Sequence, residues 1–210
     1  MTNSSNSDAG IQIAQRIQAI SQTGLNYAVS PYDVERYSEL SAIAAAMIAG
    51  SEPAEIDRAR LVFAGERGYA TPKVDVRAAV FHQGRLLLVR EREDGGWTLP
   101  GGWAEVGQSA AQSVEREVRE ESGYLVKSVK LLACWDRNKY PHPAIPFHAY
   151  KLVFRCELVG GASSASSETT EVDFFAEDRI PALSLTRILP QQIHFVFGSL
   201  RDPAAPTVFD

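Results

Sequence analysis

A chain of 210 residues suits one large domain, or one standard domain with a small appendage, and is long enough to bury a core without disulfide or metal staples. Its 45% hydrophobic and 22% charged content, with a mean hydropathy of -0.15, excludes a disordered or membrane-embedded class, and a formal net charge of -5 excludes a general pull towards nucleic-acid backbones. Cys134 and Cys156 lie inside apolar runs without CxxC spacing, which argues against a disulfide framework or zinc knuckle; Met1 to Asp8 lacks signal-peptide order and no apolar run reaches ~18 residues, so no membrane span and a cytoplasmic location are expected.

Residues 1–10 read as a flexible start, and residues 11–70 as a small all-helical domain. Ile11, Ile13, Ala14, Ile17 and Ile20 recur at helical intervals until Gly24, where the first helix is expected to be interrupted. Ser30, Pro31 and Asp33 form a start signal, since Ser can cap, Pro tolerates the first turn and an acid faces the positive helix end. The second helix runs from there to Gly50. Pro53 starts a third, with Ile56, Ala59, Leu61 and Val62 as its buried side. These stripes carry many apolar residues for so few turns, so they must bury against the rest of the chain or against another subunit, and a subunit contact is the favoured reading.

From Lys73 the texture becomes mixed α/β, and a second domain is expected over residues 71–205. Val74, Val76, Ala78 and Val80, then Leu86 to Val89, flank His82-Gln83-Gly84 as a β-hairpin. Strand-like runs follow at Val129 to Trp135, Phe147 to Leu158 and Val172 to Phe175, with a small-residue loop from Gly160 to Ser167 and a last helix over Gln191 to Ser199. Between hairpin and later strands lies Leu99-Pro-Gly-Gly-Trp103, then Ala104 to Gln108, then Ser109 to Tyr124. Ser109 can cap a helix, Gln112 can reach back to it, and Gly123 supplies a left-handed stop, which sets the helix at Ala110 to Ser122.

At roughly 100° per residue, Glu117, Glu120 and Glu121 fan over an arc of about 100°, while Ala111, Val114 and Val118 form the packing side. Three converging carboxylates repel one another unless a cation neutralises them, and oxygen-only ligands suit Mg²⁺ or Mn²⁺. A hard cation beside a Gly-rich turn is what pyrophosphate hydrolysis needs: charge neutralisation, an activated water and a close backbone approach. The opposing reading is a solvated Glu-rich face held by Arg116 and Arg119.

Counting from Gly102, five residues precede Gln108 and seven more precede Arg116, followed by Glu117, Val118, Arg119, Glu120, Glu121, Ser122, Gly123 and Tyr124. This resembles the Nudix box at every specified position except the first Glu, which is Gln108. The helical start and Gly68-Tyr-Ala-Thr-Pro-Lys-Val-Asp-Val-Arg77, with Trp135-Asp-Arg-Asn-Lys139 and Pro141-His-Pro143, are similar to a Nudix subfamily with an N-terminal helical domain that acts on ADP-ribose and CDP-choline. The resemblance implies a mixed-sheet α/β/α sandwich after the helical domain, a homodimer assembled partly through the N-terminal helices, and a small nucleotide derivative as substrate.

By motif position, the resemblance makes Glu117, Glu120 and Glu121 the metal carboxylates and Arg116 the residue that orients them. Gln108 keeps an acceptor but loses the charge, so it either hydrogen-bonds and caps at little cost or marks a weakened metal site. A catalytic base in the family often comes from a distant loop, which directs attention to Glu168 and then Glu171 in Ser167-Glu-Thr-Thr-Glu171. Gly101 and Gly102 let the backbone approach the substrate. Trp97, Trp103, Trp135 and Tyr140 are stacking candidates, Arg77 and Arg137 are phosphate or ribose candidates, and His142 and His148 lack any metal spacing. Three functions stay open: a metal-dependent pyrophosphatase on a nucleoside diphosphate linked to another moiety, a degenerate domain that binds a nucleotide as a sensor, and hydrolysis of RNA ends, which the net charge disfavours.

Overall fold

The helical periodicity of the first third is realised as three helices in the computed structural model, which describes residues 4–50 and 52–210: α1 (Ser4–Tyr27), α2 (Pro31–Ala49) and α3 (Pro53–Gly65). They form one unit, Met1–Pro72 with Ala144–His148; the other is Lys73–Pro143 with Ala149–Asp210. Within the helical unit Gln15 Nε2 donates to the carbonyls of Ile145 and Phe147 at 2.8 and 3.2 Å, tying the 144–148 segment to α1.

The backbone is helical from Ser4, and residues 1–3 of the expected flexible start lie outside the described residues. Three expectations for this unit need correction. Gly24 does not interrupt α1: the Tyr37 ring of α2 lies where a side chain would project, 2.5 Å from a Cβ placed there, so glycine lets two helices approach while intrahelical bonding continues to Tyr27. Ser30 sits at the start of α2 but its side chain makes no capping bond; its carbonyl accepts from Asp33 and Val34 N–H, and Pro31 removes one donor that would need a partner. On α3 the buried pair is Ala59 and Phe63, while Leu61 faces outward.

The second unit begins with β1 (Lys73–His82) and β2 (Arg85–Glu91), joined by Gln83 and Gly84 at φ 51° and 74°, both left-handed as a tight hairpin of this hand requires. Next come β3 (Trp97–Thr98), α4 (Ala110–Ser122), β4 (Tyr124–Asp136), β5 (Ala149–Gly161), β6 (Thr169–Phe175), α5 (Pro190–Arg201) and β7 (Val208–Phe209). Three strands are longer than their hydrophobic runs: Gly160 and Gly161 pair with Leu125 and Tyr124 rather than opening the loop, and β7 carries the unit past residue 205.

The sheet is mixed. β1 runs parallel to β5, β5 antiparallel to β4, and β4 carries β7 in parallel; on the other side β2 pairs antiparallel with β3 and β6. β1 and β2 pair only at their hairpin end, Phe81 to Leu86 and His82 to Arg85. Where they part, residues 100–104 take the vacated edge of β1: Ala78 N–H donates to Pro100 O, Val76 N–H to Gly102 O and Ala104 N–H to Val74 O, at 2.8–2.9 Å. The Gly-rich turn is thereby fixed along a central strand.

Both faces of the sheet are covered. Val114 and Val118 of α4 pack with Val76, Ala78, Val80 and Leu87, whereas Ile193, Val196 and Phe197 of α5 pack on the opposite face with Ala79, Leu86, Leu88, Leu99 and Trp135. Burial on two sides explains why Val76, Ala78, Ala79 and Val80 are apolar without alternation. Each fully buried Val on α4 contributes about 1.5–3 kcal/mol, enough to fix which helix face meets the sheet and so which carboxylates point at the turn.

Candidate active site

Helix α4 starts on a reciprocal cap: Ser109 Oγ accepts from Gln112 N at 3.2 Å and Gln112 Oε1 from Ser109 N at 2.8 Å. It ends at Gly123, φ 74°, whose N–H donates to Arg119 O. With Val114 and Val118 against the sheet, the three box carboxylates are graded by depth: Glu121 is 5% exposed, Glu117 is mostly buried and Glu120 is about half exposed.

Glu121 Oε2 accepts the Gly101 N–H at 2.8 Å. Gly101 holds φ 143°, and a Cβ there would stand 1.9 Å from Val76 O, so only glycine keeps this turn against β1. Glu117 lies against the next residue, its Oε2 3.1 Å from where a Gly102 Cβ would be. Arg116 spreads its fork over the outer carboxylates, Nη1 to Glu120 at 2.6 Å and Nη2 to Glu117 at 2.7 Å, with Glu105 at 3.5 Å. Gln108 Oε1 accepts from Arg116 Nε and Ser113 Oγ, both at 3.3 Å.

Behind the turn, Arg77 donates from Nη1 to Leu99 O at 3.1 Å and from Nε to Asp75 Oδ1 at 2.9 Å, while Lys151 Nζ donates to the other Asp75 oxygen. Arg77 therefore braces the turn from one side and its charge acts on Glu121 and Glu91. Glu91, at the end of β2, is buried and ion-paired with Arg187 at 2.8 Å.

Burial pushes the Glu121 carboxyl up to about 8; Glu91 and Glu117 push the same way, against Arg77 and the Gly101 N–H. Glu117 and Glu91 are also raised by burial, opposed chiefly by Arg116 and Arg187 respectively. Among the described residues no three Asp, Glu, His or Cys side chains form a ready cation cage, because Arg116 holds Glu117 and Glu120. The donors nevertheless fit a hard divalent cation: all are carboxylate oxygens, and a cation among them removes the repulsion that otherwise favours a proton on Glu121.

Glu168 precedes β6 and is exposed; its charge acts on buried Glu91, so it belongs to the same acidic neighbourhood. Glu171 is instead held by Arg90 at 2.5 Å on the outer strand. The stacking role expected of Trp135 does not fit: the ring is 3% exposed, against Tyr140 and Phe195 at centroid distances of 5.6 and 5.2 Å. Trp97 packs edge-on to Phe175, and the Tyr140 hydroxyl donates to Asp210, which leaves Trp103 as the exposed indole. A shallow groove of about 440 Å³ runs along Gln108, Gln112, Glu115, Arg116 and Arg119 and does not include Glu117, Glu120 or Glu121.

Sequence reasoning missed Glu91, Arg187, Asp75 and Lys151. Two carried a signal: Glu91 closes the apolar run Leu86 to Val89, and Asp75 shares a strand face with Arg77 by two-residue spacing.

A mixed sheet between two helical layers carries a Gly-rich turn bonded to a Glu-rich helix. Residues 71–196 match the model of the NUDIX domain, and residues 9–63 that of the UDP-X-like, N-terminal oligomerisation domain; the chain belongs to the Nudix family and is a pyrophosphohydrolase. A relative from Bacillus subtilis, provisionally named an ADP-ribose pyrophosphatase, is 44% identical over 200 residues, covering 95% of this chain and 96% of its own. The crystal structure of an ADP-ribose pyrophosphatase from Streptococcus suis is 38% identical with a TM-score of 0.62, covering 67% of this chain and 100% of that one. A structure described as UDP-X diphosphatase is 31% identical with a TM-score of 0.62, over 97% of this chain and 99% of its own. No helix among the described residues is long and apolar enough to cross a membrane.

Proposed function

We propose that the chain hydrolyses the pyrophosphate of a nucleoside diphosphate linked to another moiety, ADP-ribose or CDP-choline, in a reaction dependent on Mg²⁺ or Mn²⁺. The observation that carries this is Glu121: a carboxylate buried beside two others, bonded to the Gly101 N–H, at a turn whose backbone excludes any Cβ. Glu117, Glu120 and Glu121 would hold the cation, which neutralises phosphate charge and lowers the pKa of an attacking water. Arg116 aligns Glu117 and Glu120 through its fork. Glu168 is the first candidate to take the water's proton, and Glu171, tied to Arg90, the second. The names of the relatives support ADP-ribose as the first substrate to try.

Gln108 is read as a hydrogen-bonding residue because its acceptor already serves Arg116 and Ser113, which disfavours a sensor without activity. The helical unit is read as a homodimer contact, supported by the exposed Ile20, Tyr27, Val29 and Tyr69 around an open groove of about 840 Å³.

The test is product analysis with ADP-ribose, CDP-choline, NADH and capped or triphosphorylated RNA, in Mg²⁺, in Mn²⁺ and with chelator. Metal-dependent release of AMP or CMP, lost in Glu120→Gln, is the expected result. Nucleotide binding without turnover of any substrate would restore the sensor reading, and turnover of RNA ends alone would replace the substrate.

A further inference from the structure

The segment that carries Glu168 is held from three directions. First, it docks on the C-terminal end of α4, where the last carbonyls of a helix lack donors from their own turn. Ser164 N–H donates to Ser122 O at 2.9 Å and Thr169 Oγ1 to Glu121 O at 2.7 Å. Thr169 is fully buried, so the residue next to Glu168 is bonded to the backbone of a box carboxylate. Second, the segment closes on itself. Ser166 Oγ accepts from the N–H groups of Glu168 and Thr169, and Thr169 Oγ1 accepts from Ser166 N–H, all at 3.1 Å.

The third hold is Arg92. Its N–H donates to Glu168 O at 2.9 Å, its Nε to Ser167 O at 2.9 Å, and its Nη2 to Ser166 O and Thr169 O at 3.4 and 3.5 Å. One guanidinium thus bridges carbonyls on both sides of Glu168. These donors go to backbone rather than to the neighbouring Glu91 and Glu93, which Arg187 holds.

A bulge sorts the two acids of the segment. Glu91 pairs with Thr169 and Arg90 with Glu171, so the extra residue, Thr170, sends Glu171 to the face opposite Thr169, where regular alternation would have kept them together. Glu171 thereby meets Arg90, whereas the charge of Glu168 acts on buried Glu91.

We propose that Arg92 and Thr169 are positioning residues, which hold Glu168 in register with the carboxylates of α4 so that it receives the water's proton without first ordering its loop. Neither touches the reacting atoms; both act through Glu168. The inference rests on the pyrophosphatase reading above, with Glu168 as the base.

The test is a mutant cycle with a second readout that needs no turnover. On ADP-ribose with Mg²⁺, Arg92→Met and Thr169→Val are each expected to lower kcat about thirtyfold, the scale of misplacing one catalytic group, with KM within about twofold. Arg92→Lys, which still reaches part of the carbonyl set, and Thr169→Ser, which keeps the hydroxyl, recover most of that loss. In a Glu168→Gln chain, itself lowered about 100-fold, Arg92→Met and Thr169→Val cost less than about twofold more, because the group they position is already gone. In chelator, hydrogen exchange at the amides of Ser166, Glu168 and Thr169 is expected to quicken about tenfold in Arg92→Met while the α4 amides keep their rates. Losses that recur in full in the Glu168→Gln chain, losses confined to KM, or unchanged exchange in Arg92→Met overturn the inference and leave the hydrolase standing. Full activity of Glu168→Gln overturns it together with Glu168 as the base. An intact chain that turns over no substrate, with exchange quickened as expected, keeps the brace and sinks the pyrophosphatase reading instead.

Discussion

In the helical unit the buried hydrophobic positions include Ala14, Ala44, Ala45, Ala59 and Phe63, while Tyr27, Tyr32, Leu61 and Tyr69 stand outside and Val29 is 96% exposed. The sheet unit reverses this. There Leu86, Leu87, Leu88, Leu99 and Ile188 are enclosed, and so are Asp75, Arg77, Lys151, Glu91 and Glu121. Leaving apolar area in water and taking charge out of water both cost free energy, and each is retained where something else completes it. The proposed dimer contact would cover the first unit, and the proposed cation and its anionic substrate would complete the second.

The sharpest break of that contrast is Gly101→Ala. Its Cβ would meet Val76 O at 1.9 Å and its φ is unfavourable, so the turn must leave β1 and Glu121 loses its N–H partner. Activity on ADP-ribose is expected to fall about 10³-fold, on the scale of losing a preorganised site, while helix content by circular dichroism changes little. Retention of more than a tenth of the activity would show that the turn does not position the carboxylates.

A second test uses pH. Glu121 has a folded value near 8 against an ordinary 4.5, so the stability it contributes is fully present below about 4.5 and is lost as pH rises through 8. In chelator, unfolding followed by tryptophan emission, whose sources Trp97, Trp103 and Trp135 all lie in the sheet unit, should show a loss of about 4 kcal/mol between pH 5 and 9. Glu121→Gln should flatten that slope, and Mg²⁺ should reduce it by stabilising the ionised form. An unchanged slope in the variant would place the charge strain elsewhere.

The helical unit is probed by Tyr27→Asp with Val29→Asp. Putting charge on an apolar contact is expected to weaken self-association by about 2 kcal/mol, roughly 30-fold, seen by light scattering as a shift from dimer to monomer at micromolar concentration. A wild-type chain that is monomeric there would leave these side chains without the partner proposed for them.

Legibility followed the range of the interactions. The limits of α4, its reciprocal cap and its Gly123 stop were readable because each is settled within one or two turns of the same helix. So was the hairpin around Gln83-Gly84. Gly24 misled because its reason, the Tyr37 ring, lies in the next helix, and the side of α3 misled because Phe63 was bought by packing that periodicity does not specify. At the site, the box residues came from spacing, whereas Glu91 and Lys151 reach it from strands distant in sequence. Their burial follows from β2 pairing with β6 and from β5 lying beside β1.

Gln108 is where the two levels can be set against each other with the smallest expected effect. Its position matches that of a carboxylate in the box pattern, but its side chain points to Arg116 Nε and Ser113 Oγ, both donors, at 3.3 Å. A glutamate there would accept the same two bonds, with the Arg116 contact strengthened by charge, and would add repulsion towards Glu105, Glu117 and Glu120, which Arg116 already serves. The two effects oppose each other at a residue open to water, where each is screened to a fraction of a kcal/mol. Gln108→Glu is therefore expected to change kcat/KM by less than about threefold and to leave the Mg²⁺ concentration for half-maximal activity unmoved. An increase of tenfold or more, with half-saturation at lower Mg²⁺, would make position 108 a ligand to the cation and Arg116 its competitor.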